Sequence, residues 1–376
     1  MRRDNTPGRR LRIGVVGCGE VSQIIHLPTL AQLADRFEVT ALCDVSPMVV
    51  RDVGDAWGVA SRCATPDALL GRDDVDAVLI ASPDAYHAET ALAAVARGKD
   101  VLVEKPMCLT LRECDELIAA ADAAGAVVQV GYMRRHAPAL AEAKRALAHL
   151  GPIRFARVHD VIGHNSLIIE QTSRVVRGAD VSDAALAGSA ERRSMLLREA
   201  LGEVSPTLTR AYGLLLGLGS HDISAMRELL GLPRGVEHAT VRQGGGYVTA
   251  TIDYGDFVCH YETGVDEIPR FDAHIEVYGS KQVLRVQYDT PYVRNLPVRL
   301  HLTDANGSGG VVEHAIHPTW GDPFVAEWLA FAESVTHRRQ PRASAADFRH
   351  DLELFGAMVE LMSADPAENA VPADAT

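Results

Sequence analysis

Glu104 and Lys105 stand at the end of a short apolar run, Val101–Val103, and directly before Pro106. The β-branched run predicts a buried parallel strand. Ligands of doubly wound sheets bind outside the carboxyl ends of the strands, so both side chains are predicted to lie at the mouth of a binding site. A lysine ammonium there can polarise a hydroxyl or ketone oxygen, or exchange a proton with it. The alternative interpretation is a solvated lysine in a surface loop.

A glycine-rich turn after the first predicted strand has the residues of a dinucleotide site. Gly17 and Gly19 are followed by Glu20, Val21 and Ser22, where an apolar-periodic helix begins. Glycines at this place allow a tight turn and let backbone N–H groups approach a pyrophosphate at the helix N-terminus. Ser22 stands where the G-x-G-x-x-G pattern has its third glycine, and its small side chain still allows close packing of helix on sheet.

An acidic residue, Asp44, ends the second predicted strand, Phe37–Cys43. A carboxylate at this place hydrogen-bonds ribose hydroxyls and repels a 2′-phosphate, so it favours NAD over NADP. The alternative interpretation is an aspartate that forms the turn before Ser46 and Pro47.

The elements that must position these residues alternate between strand and helix. Further apolar runs at Val75–Ala81 and Val127–Gly131, each next to a predicted helix, continue the pattern. Repeated right-handed β–α units form a parallel sheet with helices on both faces. Residues 1–133 are therefore predicted to form an N-terminal Rossmann domain with a doubly wound parallel sheet.

A different pattern begins beyond Gly151 and Pro152. An apolar helix is predicted over 214–231, and strands separated by Gly or Pro turns run from about Val236 to Ile316, as in an antiparallel sheet. Residues 134–364 are predicted to form a second α/β domain with an open, mainly antiparallel sheet and a helical insert over about 164–207. The last residues, 365–376, are rich in Ala, Pro and Asp and are predicted to form a flexible tail.

The composition limits the classes of partner. The chain of 376 residues is 47% hydrophobic and 23% charged and has a net charge of −13, which argues against a broad face for nucleic acid or anionic lipid. Its six cysteines are scattered without paired spacing and are typical of reduced thiols. The sequence contains no secretory signal and no run long enough to span a membrane. We therefore expect a cytoplasmic protein with no nucleic-acid or membrane partner.

Six motifs follow one another as they do in one known family: Ile13–Gly19, His26–Pro28, Cys43–Asp44, Ala81–His87, Gly98–Pro106 and Gly219–His221. The chain thereby resembles the Gfo/Idh/MocA family of NAD(P)-dependent oxidoreductases, which act on sugars, cyclitols and their derivatives. The resemblance is close over about residues 11–140 and looser over 208–362. The insert over about 164–207 matches nothing in the family pattern.

The resemblance implies a fold and a set of site residues. It implies a Rossmann domain joined to an α/β domain, with one face of the second sheet making a homodimer or homotetramer. Lys105 would contact the reacting oxygen, and Pro106 would follow a cis peptide bond. Ser82, Pro83 and His87 would lie near the nicotinamide. The expected cofactor-binding residues are Gly17, Gly19, Glu20, Val21, Asp44, Ser82, Pro83, His87, Glu104 and Lys105.

The predicted helix of the second domain departs from the family pattern. His221 is present, but the acidic residues that many members have four positions before it and three positions after it are Gly217 and Ser224 here. A histidine alone still serves as a general acid or base near neutral pH. An orienting carboxylate or phenol would therefore have to come from elsewhere in the chain.

The candidates for that role are Asp160 and Tyr212, whose segments are expected to converge on the substrate. Asp222 is adjacent to the histidine but is predicted from the helical period to point in another direction. His164 and Arg134 are further candidates for substrate binding, with Lys105 and His221. For each of these polar residues the alternative is a capped or surface position.

We expect from these residues an oxidoreductase that uses NAD, with NADP less favoured. It would move a hydride between the nicotinamide and a secondary alcohol or ketone carbon of a sugar, glycoside or cyclitol. Lys105 would hydrogen-bond the reacting oxygen and His221 would take or give the proton. Two alternatives stay open: glycoside cleavage through transient oxidation, and a non-catalytic protein that senses sugar or NAD. No metal is expected, because the spacing of the candidate ligands is not that of a zinc site. These candidates are His159, Asp160, His164 and His221.

Overall fold

The computed structural model describes residues 9–364, so the predicted tail at 365–376 lies outside the described residues. The chain divides into two compact units. Unit 1 contains the described residues up to Met133, together with Ile169–Leu197 and Asp322–Arg349. Unit 2 contains Arg134–Ile168, Arg198–Gly321 and the described residues from His350 onward. Part of the predicted insert, Ile169–Leu197, thus groups with unit 1.

Unit 1 is built on a six-stranded sheet in which every neighbouring pair is parallel. Its spatial order is β3-β2-β1-β4-β5-β6. The strands are β1 (Leu11–Val16), β2 (Phe37–Cys43), β3 (Ser61–Cys63), β4 (Ala77–Ile80), β5 (Asp100–Val103) and β6 (Val128–Val130). The reversal of strand order between β1 and β4 is the switch point at which doubly wound sheets bind ligands.

The central strands of this sheet form the core of unit 1 because both faces are covered. Val15, Leu79 and Leu102 have no exposed surface, which matches their near-continuous apolar sequence. Trp328 and Phe331, from a helix near the end of the chain, pack into the same core. The described helices are α1 (Leu27–Gln32), α2 (Pro47–Trp57), α3 (Pro66–Leu70), α4 (His87–Ala96), α5 (Leu111–Ala124), α6 (Met133–His136), α7 (Pro138–Ala146), α8 (Ser166–Thr172), α9 (Asp183–Leu201), α10 (Pro206–Leu214), α11 (Ser220–Leu230), α12 (Pro323–His337) and α13 (Ala345–Ser363).

Unit 2 is built on an eight-stranded sheet of order β14-β13-β12-β11-β7-β10-β9-β8. The strands are β7 (Ile153–Gly163), β8 (Gly235–Arg242), β9 (Tyr247–Asp253), β10 (Val258–Asp266), β11 (Phe271–Gly279), β12 (Gln282–Tyr288), β13 (Arg299–Ala305) and β14 (Val311–Ile316). All pairs are antiparallel except β7 with β10, which is parallel. The fold class predicted from the sequence, a parallel Rossmann sheet plus a mainly antiparallel sheet, is confirmed.

The predicted continuous helix over 214–231 is wrong in detail. Helix α10 begins earlier, at Pro206, and a wider π-helical turn over Leu215–Gly219 separates it from α11. Such turns insert one residue into the helical repeat and are frequent at functional sites. The regular α-helical period is therefore interrupted between Gly217 and His221. No helix of the described residues is long and apolar enough to cross a membrane.

Candidate functional site

The glycine turn after β1 has the geometry of a dinucleotide loop. Gly17 has φ of +90°, and a Cβ built on it would lie 2.4 Å from backbone atoms of Ala81 and Ser82, so only glycine fits. Gly19 is exposed, and a Cβ there would meet no described heavy atom within 4 Å. Ser22 is fully buried, and its hydroxyl donates to the Gly17 carbonyl oxygen. The small side chain thus ties the helix to the turn.

Asp44 is held at this turn by two backbone donors. Its Oδ2 accepts from Cys18 N at 2.8 Å and its Oδ1 accepts from Ser46 N at 2.9 Å. The carboxylate therefore joins the glycine turn to the start of α2. Carboxylate oxygens accept more than one hydrogen bond each, so the half-buried group keeps acceptor capacity for hydroxyls of a ligand.

The insert supplies one wall of a cavity beside Asp44. The cavity measures about 290 Å³ and is lined by Gly19, Glu20, Asp44, Ser46, Val49, Val175, Val176, Arg177, Gly178 and Val181. Gln23 clamps the insert backbone, since Val176 N donates to its Oε1 at 2.8 Å and its Nε2 donates to the Val176 oxygen at 2.9 Å. Arg177 forms an ion pair with Glu20 at 3.0 Å. Sequence reasoning missed this wall because the insert matched no motif.

Asp180 continues the same segment and binds the N-terminus of α2. Its Oδ2 accepts from Met48 N at 2.9 Å, and its Oδ1 accepts from the Ser46 hydroxyl. The Ser46 oxygen also accepts from Val49 N at 3.0 Å, so Ser46 caps α2 and holds the insert at the same time. Hydrogen bonds from Ser46 and Met48 keep the pKa of Asp180 below its usual range.

A second set of insert contacts lies on the loop after β4. Arg193 Nε donates to Asp84 Oδ2 at 3.0 Å, and Arg192 Nε donates to the Ala85 oxygen at 2.7 Å. The Arg192 guanidinium also lies 4.9 Å from the ring centre of Tyr86. Helix α9 is thereby attached to the loop in which the sequence predicted nicotinamide contacts.

His87 ties that loop to the segment after β5. Its Nδ1 lies 2.7 Å from the Pro106 oxygen and its Nε2 lies 2.7 Å from the Ser82 oxygen. The ring is 2% exposed, and both of its nitrogens face carbonyl oxygens of the chain. The Lys105–Pro106 peptide bond is cis, as the family resemblance implies. His87 therefore positions the two segments that flank the predicted cofactor site.

Lys105 follows a buried carboxylate that is anchored from two sides. Glu104 Oε2 accepts from Lys105 N at 3.1 Å, and Glu104 Oε1 lies 2.8 Å from His26 Nε2. Burial alone would raise the pKa of Glu104, but the hydrogen bond from His26 and the positive charge of Lys105 lower it below its usual value. The Lys105 side chain is half-buried at the carboxyl end of β5. An anionic Glu104 beside it stabilises the ammonium form.

A second buried carboxylate, Glu327, lies within the electrostatic reach of Glu104. Glu327 is fully buried on α12, and neither of its carboxylate oxygens has a hydrogen-bond donor among the described residues. Burial raises the pKa of Glu327 well above its usual value, and the nearby negative charges of Glu104 and Asp322 raise it further. The two pKa values are thus separated, and there is a pH range in which Glu104 is ionised while Glu327 is neutral.

In unit 2, three predicted or neighbouring site residues form one buried ionic cluster. Arg134 Nη1 donates to Asp160 Oδ2 at 3.0 Å and also to Asp222 Oδ1. The three side chains are 2%, 0% and 1% exposed, respectively. Arg134 also lies over the ring of Tyr288, at 5.0 Å from its centre. Arg134 and Asp160 thus form an ion pair inside unit 2, while Arg134 Nε and Asp160 Oδ1 have no hydrogen-bond partner among the described residues.

The charges of this cluster do not balance unless one carboxyl is protonated. Burial opposes the charge on Arg134, but Asp160 and Asp222 outweigh it and raise its pKa. Burial and the charge of Asp160 raise the pKa of Asp222 well above its usual value, against the opposing effect of Arg134. One guanidinium thus faces two carboxyl groups, and the raised pKa of Asp222 favours its protonated form. Asp222, which the sequence argument set aside on its helical period, is part of this cluster.

The other predicted residues of unit 2 lie at different places. Tyr212 is on α10 and is 3% exposed, whereas His164 is exposed just after β7. His221 is half-buried in the first turn of α11. A glycine is required two residues before His221, because a Cβ on Gly219 would lie 2.4 Å from the hydroxyl oxygen of Tyr261. A Cβ on Gly217, by contrast, would meet no described heavy atom within 4 Å, so a larger side chain fits there.

Strand alternation separates two of the polar residues considered as metal ligands. Asp160 is on the buried face of β7, and His159 is on the other face, where its Nδ1 lies 2.8 Å from Glu262 Oε2. Within the described part of the chain, no group of three or more His, Cys, Asp or Glu side chains has an arrangement that would hold a metal ion.

The N-terminal part of the chain is similar to a known family. Residues 11–132 match the family model described as an oxidoreductase family with an NAD-binding Rossmann fold. An inositol 2-dehydrogenase of Saccharopolyspora erythraea is 38% identical over 144 residues, which is 36% of this chain and 40% of the relative. A putative UDP-kanosamine synthase oxidoreductase subunit of Amycolatopsis mediterranei is 36% identical over 144 residues, 38% of this chain and 39% of the relative. The matched part is therefore about two fifths of these curated relatives.

Solved structures share the fold over nearly the whole chain. A levoglucosan dehydrogenase in complex with NADH has a TM-score of 0.73 at 16% identity, covering 96% of this chain and 98% of that one. A 3-ketoreductase from Actinomadura kijaniata in complex with NADP has a TM-score of 0.70 at 21% identity, covering 95% of this chain and 98% of that one. At these identities the likeness concerns the fold alone. This likeness agrees with the fold class described above, a parallel Rossmann sheet plus a mainly antiparallel sheet.

Proposed function

We propose that this chain is a dehydrogenase or reductase that acts on a CH–OH group of a sugar, glycoside or cyclitol. Its residues 11–132 match the model of the Gfo/Idh/MocA oxidoreductase family. The observation that carries the proposal is Lys105, set at the carboxyl end of β5 behind the buried Glu104 carboxylate. The inositol 2-dehydrogenase and the putative UDP-kanosamine synthase oxidoreductase subunit named above support a polyol substrate.

The chain's own groups would divide the work as follows. The glycine turn would bind the pyrophosphate through its N–H groups, and Asp44 would accept from ribose hydroxyls. A bound nicotinamide supplies the hydride acceptor or donor. The Lys105 ammonium would hydrogen-bond the reacting oxygen, where negative charge develops as the hydride moves. His221 would take the proton in oxidation and return it in reduction.

The structure changes the roles proposed for the remaining candidates. Asp160 and Arg134 are buried against one another, so we assign them to positioning β7 and α11 rather than to contact with substrate. Tyr212 and His164 stay candidates for orienting His221 or binding substrate. His87, Ser82 and Pro83 would hold the loop beside the nicotinamide, with both His87 nitrogens facing backbone oxygens.

NAD is proposed as the preferred cofactor because Asp44 faces the cavity beside the glycine turn. Structural neighbours are complexes with NADH and with NADP, so the shared fold does not determine which of the two cofactors is preferred. Asp44→Ser should relax or reverse the preference, measured as the ratio of kcat/KM for NAD and NADP. An unchanged ratio would contradict the assignment of Asp44 to the ribose.

The test of the activity is absorbance of the reduced nicotinamide during incubation with inositols, aldoses, glycosides and their keto forms. Stoichiometric appearance or loss of reduced cofactor, abolished in Lys105→Ala, is the expected result. Glycoside cleavage without net change of free NAD would favour transient oxidation instead. Binding of NAD and sugar with no redox change and no cleavage would favour the sensor hypothesis.

A cytoplasmic homo-oligomer is proposed for the native state. All six cysteines lie within the described residues as buried free thiols, which suits a reducing compartment. The edge strand β14 is almost fully exposed and carries Val311, which is 68% exposed. Exposed strand edges favour pairing with another chain. Sedimentation of the purified protein tests a homodimer or homotetramer through the second sheet, and cell fractionation tests the location.

A further inference from the structure

We propose that Asp180 is a specificity-determining residue, which disfavours NADP by placing a carboxylate on the donors at the start of α2. These donors are the Ser46 hydroxyl and Met48 N, next to the carboxylate assigned to the ribose, Asp44. The inference rests on the proposed dinucleotide site but concerns a residue outside every family motif. It makes the insert part of cofactor selection.

Each hydrogen-bond donor in the first turn of α2 already has an acceptor within the chain, so none is left for a 2′-phosphate. Ser46 N donates to Asp44 at 2.9 Å, and Val49 N donates to the Ser46 oxygen at 3.0 Å. The nitrogen of Pro47 carries no hydrogen, and Met48 N donates to Asp180 at 2.9 Å. A phosphate bound beside Asp44 would ordinarily use such N–H and hydroxyl groups, since helix N-termini favour anions. Here Asp180 is the anion that already occupies them.

Charge acts in the same direction as the occupied donors. Asp44 and Asp180 stand on either side of Ser46, and hydrogen bonds from Ser46 and Met48 keep Asp180 ionised by lowering its pKa. A ribose hydroxyl can donate to a carboxylate, whereas a phosphate near neutral pH offers only acceptors and negative charge. Two carboxylates are therefore compatible with the 2′-hydroxyl of NAD and repel the 2′-phosphate of NADP.

Asp180 is held in this place by the packing of its own segment. Gly178 lies against Ser46, where an added Cβ would come within 2.8 Å of the Ser46 Cβ. Gln23 clamps both backbone groups of Val176, and Arg177 pairs with Glu20. All of these residues belong to unit 1. The segment that carries Asp180 is thus anchored both to Ser46, at the start of α2, and to Glu20 and Gln23, which follow the glycine turn.

The experiment compares dissociation constants of NADH and NADPH, and of 5′-AMP and 2′,5′-ADP, by titration calorimetry on the full chain. The variants are Asp180→Asn, which removes the charge, and Asp180→Ala, which also frees the donors. Asp183→Asn is the matched control, because it removes the same charge from an exposed residue three positions away. Binding of the short probes isolates the 2′-phosphate from any effect on the nicotinamide half.

We expect Asp180→Asn to lower the Kd ratio of NADPH to NADH roughly tenfold, which corresponds to about 1.4 kcal/mol, and Asp180→Ala to lower it further. The ratio of the Kd for 2′,5′-ADP to the Kd for 5′-AMP should fall in the same variants. Asp183→Asn should leave both Kd ratios unchanged. An unchanged ratio with intact NADH binding would overturn the inference alone. Equal tightening of both dinucleotides would also overturn it, because the insert would then act as a plug. If wild type binds none of the four probes, the proposed function fails and the inference with it.

Discussion

The indole nitrogen of Trp328 donates to Nδ1 of His26 at 3.1 Å. Because indole N–H is only a donor, Nδ1 must accept, and the ring proton of the neutral imidazole lies on Nε2. Nε2 then donates to Glu104 at 2.8 Å, and Glu104 in turn accepts from the backbone of Lys105. A chain of hydrogen bonds thus runs within unit 1 from helix α12 to the backbone of the proposed catalytic lysine.

This chain predicts that Trp328→Phe impairs the reaction without impairing cofactor binding. Loss of the indole donor releases the His26 tautomer, so Glu104 loses an oriented donor and Lys105 its fixed anionic neighbour. We expect a fall of about tenfold in kcat and an altered pH profile, with the Kd for NADH unchanged; tenfold corresponds to about 1.4 kcal/mol.

The control for Trp328→Phe is Phe331→Leu, on the same helix and in the same core. It removes buried apolar volume but no polar atom, so it should lower stability and leave the pH profile unchanged. Should both variants lose stability equally and leave kcat and its pH profile intact, Trp328 has only a packing role.

Glu327 predicts an unusual dependence of stability on pH. Its pKa is raised in the folded state, so the folded chain binds a proton that the unfolded chain releases above its ordinary pKa. The free energy of unfolding therefore falls as pH rises from the unfolded pKa toward the folded one. Glu104 acts oppositely: its lowered pKa contributes stability above the unfolded pKa, and this is lost as pH falls through the folded value.

Glu327→Gln should accordingly raise the free energy of unfolding at pH 8 by about 1–3 kcal/mol, since it removes a buried group that must stay protonated. Denaturant unfolding at pH 5 to 8 measures this, with Glu333→Gln, an exposed residue of the same helix, as control. A loss of stability at pH 8 would mean that Glu327 has a partner that the amide cannot replace.

Lys105→Ala should separate chemistry from binding. Removal of one preorganised donor to a developing oxyanion lowers kcat by about 10²–10³, and the dissociation constant of NADH should change little. Lys281→Ala, an exposed lysine of unit 2, is the control. Equal losses of NADH affinity and rate would make Lys105 a residue of cofactor binding or folding instead.

The sequence predicts the parallel sheet and its glycine turn well because each depends on local pattern. Central strands such as β4 are continuous apolar runs, whereas β3, at Ser61–Cys63, is too short and polar to stand out. The contacts of the insert could not be predicted, since Asp180 and Ser46 are 134 positions apart and no motif marks either. Their pairing depends on how the chain returns to unit 1.

The roles of Arg134 and Asp222 were hidden for a related reason. From the sequence, Arg134 is a candidate for substrate binding. The helical period predicts that Asp222 points away from the site. Both follow instead from the need to compensate buried charge, which brings α11, β7 and Arg134 together in unit 2. Such compensation depends on tertiary packing and leaves no local pattern.

In the buried cluster of Arg134, Asp160 and Asp222, we expect the loss of stability on substitution to differ sharply among the three residues. Arg134→Met leaves a buried carboxylate without its partner, which costs about 3–5 kcal/mol of stability. Asp222→Asn should cost far less, because the raised pKa of Asp222 favours its protonated form, which an amide resembles in charge and size. Asp160→Asn removes the charge that balances Arg134 and should lie between them.

The pH dependence gives this prediction its sharpest form. Because the folded pKa of Asp222 is raised, wild type loses stability as pH rises above the unfolded value of an aspartate. Asp222→Asn should therefore flatten the stability profile over that range, and Asp222→Ala, which keeps no hydrogen-bonding group, should not restore wild-type stability. Denaturant unfolding at several pH values measures each variant, and Asp256→Asn, at an exposed position in the turn between β9 and β10, is the control. If Asp222→Asn destabilises as strongly as Arg134→Met at pH 7, Asp222 is ionised, and the assignment of the proton to it is wrong.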